Sequence, residues 1–162
     1  MAVSLDKHER QILLLLQKDG RMSIVDIAQA IGVTEGTVRR KLARLFGEGI
    51  IKVAAVANPQ AIGFNSPAII GLKVDRGRVL EVAEAVCRLK EVRYAALTTG
   101  DNDLVIEGYW ANNEELSRFL LDELPKVQGI LETRTSLLLR LLKQSYDWGL
   151  PVEEEAQAKG AS

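Results

Sequence analysis

Apolar positions follow a helical period over the first third of the chain, then alternate between helical and strand periods. Asp6 and Glu9 make a D-x-x-E capping box that opens a first helix running to Gly20. Ile12 to Leu16 inside it are all apolar, more than one buried face can use, so a second surface, such as another chain, is expected to cover part of this helix. Ser23 and Asp26 repeat the capping arrangement ahead of Ile24, Ile27, Ala28 and Ile31, at i, i+3, i+4 and i+7. Gly32-Val33 is a tight break. Thr34 then caps a third helix with Val38, Leu42 and Leu45 inward, and a second, polar stripe of Thr37, Arg40, Lys41 and Arg44 beside Arg39.

Two helices joined through a short glycine-containing turn, the second one basic on its outer face, read as a helix-turn-helix. Such a helix fits the major groove of double-stranded DNA, where cations release counterions from phosphates and polar groups reach base edges. The other reading of the same pattern is a solvated basic face on an ordinary three-helix bundle. Gly47 to Gly49 break the chain, and Ile50 to Ala57 are apolar and beta-branched enough for a strand that would begin a small wing.

Asn58-Pro59 starts a linker that reaches Pro67, with Gly63 inside it. Beyond it, Ala68 to Val74 reads as a strand and Arg78 to Lys90 as a helix with Val79, Val82, Ala83, Val86 and Leu89 at helical spacing. Tyr94 to Thr99 and Leu104 to Trp110 read as strands. Asn113 is placed to cap a helix carrying Leu116, Phe119, Leu120 and Leu124, and Ile130 to Leu141 reads as a last strand. The order β-α-β-β-α-β implies a ferredoxin-like sandwich, one antiparallel sheet with both helices on one face. The fold class is therefore α+β. Strands apolar on both sides, as at Ile69-Ile70 and Leu104-Val105, need a further layer, and self-association through the uncovered face supplies one.

Net charge adds little as a total but something as a distribution. Residues 1–57 hold nine Lys/Arg against six Asp/Glu, and residues 58–162 hold twelve against sixteen. A basic first part and an acidic second part fit a division of labour. The single cysteine, Cys87, excludes an internal disulfide and any multi-cysteine metal site. No apolar run approaches the ~18 residues of a membrane span, and no signal-peptide pattern opens the chain, so a cytoplasmic protein without a membrane partner is expected. From Lys143 onward the pattern weakens, and Glu153, Glu154 and Glu155 lead into a tail expected to fray.

One stretch carries more polar chemistry than its structure requires. In "LTTGDNDLVIEGY", Leu97 to Tyr109, two strand-like runs flank a Gly-Asp-Asn-Asp turn preceded by Thr98 and Thr99. These are favoured hairpin residues, so the stretch is explicable by turn geometry alone.

Taken in order, "LDKHERQIL" from Leu5, "QKDGRMSIVDIAQAIGVTEGTVRRKLARLFGEGII" from Gln17, "NPQAIGF" from Asn58, "LTTGDNDLVIEGY" from Leu97 and "LPKVQGILETRT" from Leu124 resemble the Lrp/AsnC (leucine-responsive, feast/famine) family of transcription regulators. The resemblance spans nearly the whole chain. It implies a winged helix-turn-helix over residues 1–57, a hinge over 58–67, a ferredoxin-like effector-binding and dimerisation domain over 68–142, and a tail over 143–162. It implies a recognition helix from Thr34 to Phe46, with DNA contacts from Thr34, Glu35, Gly36, Thr37, Arg39, Arg40, Lys41 and Arg44. It implies a pocket for a small effector, usually an amino acid, between dimers at Thr98, Gly100, Asp101, Asn102, Asp103 and Leu104. Gly129 to Thr135 is a second wall, with Thr133 and Thr135 as its polar candidates. Dimers, often four in a ring to make an octamer, belong to the same implication, as do the absence of a metal or cofactor and of catalysis.

Two other readings compete with a DNA-binding regulator tuned by an effector. Some proteins that look like this family decarboxylate a modified tetrapyrrole and rely on histidines near the equivalent hairpin, whereas the only histidine here is His8, near the N-terminus. No Ser/His/Asp, Cys/His or metal constellation can be assembled either. The other is a DNA-organising protein of the same fold that needs no ligand.

Overall fold

The computed structural model describes residues 3–145; the tail expected to fray, with its acidic triplet, falls almost wholly outside them. The chain divides into two compact units, one made of the residues up to Ala55 together with those from Gln144, and one spanning Val56–Lys143.

In the first unit, α1 (Lys7–Lys18) starts on the expected capping box: the Asp6 carboxylate accepts the Glu9 amide at 2.9 Å and the Glu9 carboxylate accepts the Asp6 amide at 3.0 Å. The helix α2 (Ile24–Ile31) is capped by Ser23, whose hydroxyl accepts the Asp26 amide at 3.1 Å, and ends on Gly32 with a left-handed φ of 70°. That residue turns the chain into α3 (Glu35–Gly47), capped by Thr34. Ile12, Ile27, Ala28, Val38 and Leu45 form the core they share. Leu13 and Leu14, left over by the apolar run in α1, are half-buried and lie outside that core. The strand expected from Ile50 to Ala57 is a correction: the segment carries no ladder, because a strand is defined by a partner and these residues find none among the described residues of one chain.

In the second unit, β1 (Ser66–Val74), α4 (Val79–Cys87), β2 (Val92–Leu97), β3 (Leu104–Trp110), α5 (Asn113–Arg118) and β4 (Ile130–Leu137) follow in the expected order. The four strands pair antiparallel as β2-β3-β1-β4. Ile70, Leu72, Leu104 and Ile106 from the two central strands are buried with Val82 and Val86 of α4 and with Leu116, Phe119 and Leu124 of the α5 region. Both helices therefore cover the same face of the sheet. Trp110 stacks tilted against Phe119, ring centroids 4.9 Å apart, and closes one end of this core.

Several boundaries differ from the pattern: β1 begins at Ser66 instead of Ala68, α4 ends at Cys87 instead of Lys90, and β2 spans Val92–Leu97 instead of Tyr94–Thr99. Asn112 rather than Asn113 caps α5, its side chain accepting the Glu115 amide at 2.9 Å, while Asn113 accepts a hydrogen bond from the buried Ser66 hydroxyl at 2.7 Å. After α5 the chain widens to a π turn at Phe119–Glu123 and tightens to a 3-10 turn at Leu124–Lys126, where Pro125 ends it. The last strand stops at Leu137, so Leu138 to Leu141 are not part of it.

Residues opposite one another in an antiparallel pair point to the same face. The register puts Pro67, Ile69, Gly71 and Lys73 of β1 on the face away from the helices. Tyr109, Glu107 and Val105 of β3 and Ser136, Arg134 and Glu132 of β4 accompany them. Ile69 and Tyr94 stay exposed there, at 38% and 56%.

Candidate functional site

The exposed surface of α3 is built from its capped N-terminus. The Thr34 hydroxyl accepts the Thr37 amide at 3.3 Å and exchanges a hydrogen bond with the Thr37 hydroxyl at 3.1 Å. Glu35, Gly36, Arg39 and Arg40 are exposed around it. Arg39 reaches back to Glu35 at 3.4 Å, whereas Arg40 has no hydrogen bond or ion pair within the described residues. The expected basic stripe does not stay intact beyond that point. Lys41 is drawn onto Asp6 and lies 4.0 Å from Glu9, with only 13% of its side chain exposed. Arg44 binds both Glu9 oxygens, at 2.7 and 2.9 Å, and Glu48 at 3.0 Å. Hydrogen bonds to Glu48 first and to Glu9 next push its guanidinium pKa above the usual value. Lys41 and Arg44, both expected to contact DNA, are thus also paired with α1, because the acidic capping box of α1 faces the side of α3 on which they project.

The turn between β2 and β3 is held by its own threonine and by β1. The Thr98 hydroxyl donates to the Asn102 carbonyl at 2.8 Å, the Thr98 amide to the Asp103 carbonyl at 3.0 Å, and the Asp103 amide to the Leu72 carbonyl at 2.9 Å. Gly100 takes a φ of 100°, which L side chains rarely adopt. The two carboxylates then part in role. Asp103 accepts the Val74 amide at 2.8 Å, beside the register shift in β1, and has Lys73 at 3.7 Å. Asp101 is exposed and free of hydrogen bonds among the described residues.

Asn102 folds over Gly71: a Cβ on that glycine would meet the carboxamide at 2.5 Å. Gly71 lies opposite Arg134, and Arg134, held by Glu132 at 2.8 Å, has its pKa raised first by that hydrogen bond and also by the charge of Asp101. Turn and β4 therefore meet on the face away from the helices, with Asp101, Asn102, Gly71 and Arg134 as neighbours. Three expected residues do not point there. Leu104 is 1% exposed in the core, so only its backbone is near the turn. Thr133 and Thr135, opposite Leu72 and Ile70, share the helix-side face at the sheet edge. Arg134 is the residue the pattern missed, and strand pairing is the signal that finds it. Recesses of about 310 Å³ beside Arg78 and Lys126 and about 410 Å³ beside Ser66 and Asn113 lie away from the turn.

Two family models match the chain: a winged helix-turn-helix DNA-binding domain over residues 5–52 and the Lrp/AsnC ligand binding domain over residues 67–148. An uncharacterized HTH-type transcriptional regulator of Pyrococcus furiosus is 40% identical over 143 residues, 88% of this chain and 97% of that one. The chain belongs to the Lrp/AsnC family. The HTH-type transcriptional regulator FL11 of Pyrococcus abyssi is 35% identical over 154 residues, 94% of this chain and all of that one. Among solved structures, a transcriptional regulator from Neisseria meningitidis in complex with L-Met superposes with a TM-score of 0.83 at 25% identity, covering 93% of this chain and 98% of that one. E. coli AsnC shares the fold, with a TM-score of 0.82 at 22% identity over 88% and 97% of the two chains. This Lrp/AsnC protein is a transcriptional regulator with a helix-turn-helix DNA-binding domain and a ligand-binding domain. No helix among its described residues is long and apolar enough to cross a membrane.

Proposed function

We propose that the chain is a sequence-specific DNA-binding regulator whose promoter occupancy is tuned by an amino acid bound between subunits at the Gly100–Asp103 turn. The observation that carries this reading is the exposed Asp101 carboxylate beside Arg134 on the uncovered sheet face. An α-ammonium group meets the first and an α-carboxylate the second, with the exposed turn amides as further donors. The L-Met complex of the Neisseria relative supports the ligand class. An effector held between chains shifts the assembly through its differential affinity for two arrangements, and so changes which half-sites are engaged together. Dimers, assembling to an octamer, are the assembly proposed.

Thermal melting against the twenty amino acids tests the effector. At least one should raise the midpoint at millimolar concentration, with Asp101→Asn or Arg134→Gln abolishing the shift. A midpoint unmoved by all of them would sink the reading. It would leave the DNA-organising alternative, which the Asn102 carboxamide already lying over Gly71 favours.

A further inference from the structure

Glu9 is 2% exposed, and a buried carboxylate of this kind persists only where its lone pairs are filled. Two donors fill them with three hydrogen bonds: the Asp6 amide at 3.0 Å, and Arg44 Nη1 at 2.7 and 2.9 Å to the two oxygens, with Lys41 Nζ 4.0 Å away. Arg44 is engaged through every nitrogen, since Nε donates to Glu48 at 3.0 Å and Nη2 to the Ser4 carbonyl at 3.4 Å. Moving Arg44 to a phosphate would leave the Glu9 charge buried and half-paired, the most expensive way to break an ion pair. Lys41, mostly covered and against Asp6, is held in the same way. Arg40, one residue before Lys41, is exposed and unpaired within the described residues.

We propose that Glu9 is a positioning residue for DNA reading: it draws Arg44 and Lys41 back onto α1, sets the pitch of α3, and confines the DNA-contacting surface to the exposed N-terminal half of α3 around Arg40. The acidic capping box of α1 thus serves a second purpose, as the anchor of the helix that reads DNA. The C-terminal half of the basic stripe contributes orientation instead of phosphate contacts. This inference rests on α3 being the DNA-contacting helix, and the experiment separates the two.

The full chain is used to select a duplex from a random pool, and binding to that duplex and to a scrambled one of equal composition is measured against salt. Arg40→Gln should lower the slope of log affinity against log salt by about one per bound chain, as for a lost phosphate contact. Arg44→Gln should leave the slope unchanged yet reduce the ratio of selected to scrambled affinity about tenfold, the order expected for one degraded base contact. Glu9→Gln, which releases two cations, should reduce that ratio similarly while its slope stays the same or steepens. If Arg40→Gln leaves the slope intact, α3 is not the contacting helix and the proposal falls with it. If Arg44→Gln lowers the slope as Arg40→Gln does, Arg44 is a phosphate ligand and the proposal alone falls. A Glu9→Gln chain that loses affinity for both duplexes in parallel, with the ratio kept, also overturns it. Should either Glu9→Gln or Arg44→Gln fail to fold, Arg44→Lys decides, because it leaves a cation beside the buried Glu9 while losing the bonds to Glu48 and the Ser4 carbonyl. The ratio should then fall with the slope unchanged, and a lowered slope or a kept ratio overturns the proposal.

Discussion

The Asp103 carboxylate accepts the amide of Val74, a residue 2% exposed, at the point where the β1–β4 register shifts. Asp103→Ala would strand that N–H without an acceptor, at a cost of about 1–3 kcal/mol. Asp103→Asn keeps an acceptor oxygen and should recover most of the loss, as urea denaturation of both variants will show; equal losses would mean that the Lys73 attraction carries the effect. Gly71 makes the opposite case, in which the side chain is missing for a reason. The Cβ of Gly71→Ala would meet the Asn102 carboxamide at 2.5 Å, but the obstacle is the end of a short side chain that can rotate. Stability should therefore change by less than about 1 kcal/mol, while affinity for an amino acid at the turn should fall at least several-fold by calorimetry. These residues show what the sequence could disclose at this scale. Asp101 and Asp103 are the same letter in one motif, and only the amide of Val74, distant in sequence, gives the second a structural duty. The turn was legible; the division of labour inside it was not.

Local signals were the ones that survived at the scale of elements. The Asp6–Glu9 box and the Ser23 and Thr34 caps depend on residues three apart, and each forms where the pattern places it. The Ile50–Ala57 strand and the pairing of Lys41 and Arg44 with α1 depend on what lies opposite in space, and these are what the pattern could not supply. The α1 cap also has a pH consequence. Burial acts to raise the Asp6 pKa, but the Lys41 hydrogen bond and the Glu9 and His8 amides outweigh it and hold it below the usual carboxylate value. A lowered folded pKa means that the charge stabilises α1 at neutral pH, and that this stabilisation is lost as pH falls through the folded value. Asp6→Asn keeps a capping side chain and removes the charge. Hydrogen exchange of the α1 amides should thus be faster in Asp6→Asn than in the parent at pH 7. The two should converge as pH falls below the usual carboxylate range and through the lowered folded value, where the parent carboxyl protonates as well. A difference that persists at about pH 2 would assign the effect to cap geometry instead of charge.

For the molecule as a whole, the proposed function makes the sheet face away from the helices the place where assembly and sensing meet. Ile69 and Tyr94 are exposed on it, and the Asn102–Gly71–Arg134 cluster occupies the same face. If chains associate through this face and the effector lies between them, one substitution remote from the turn must disturb both properties. Ile69→Asp places a charge where a second chain would pack, and burying it there without a partner is prohibitive. Ile69 is exposed within the single chain, so the fold itself should tolerate the change, with a stability loss within about 1 kcal/mol. Sedimentation velocity should show this variant in a smaller assembly than the parent. At a concentration of free amino acid one hundred times its Kd, the parent should gain about 2.7 kcal/mol, a midpoint rise of several degrees. The variant should show little of that rise although Thr98, Gly100, Asp101, Asn102 and Asp103 are untouched. A smaller assembly that keeps the full rise would place the effector site within one chain. An unchanged assembly would move the subunit contact to another surface and leave the apolar half of this face unexplained.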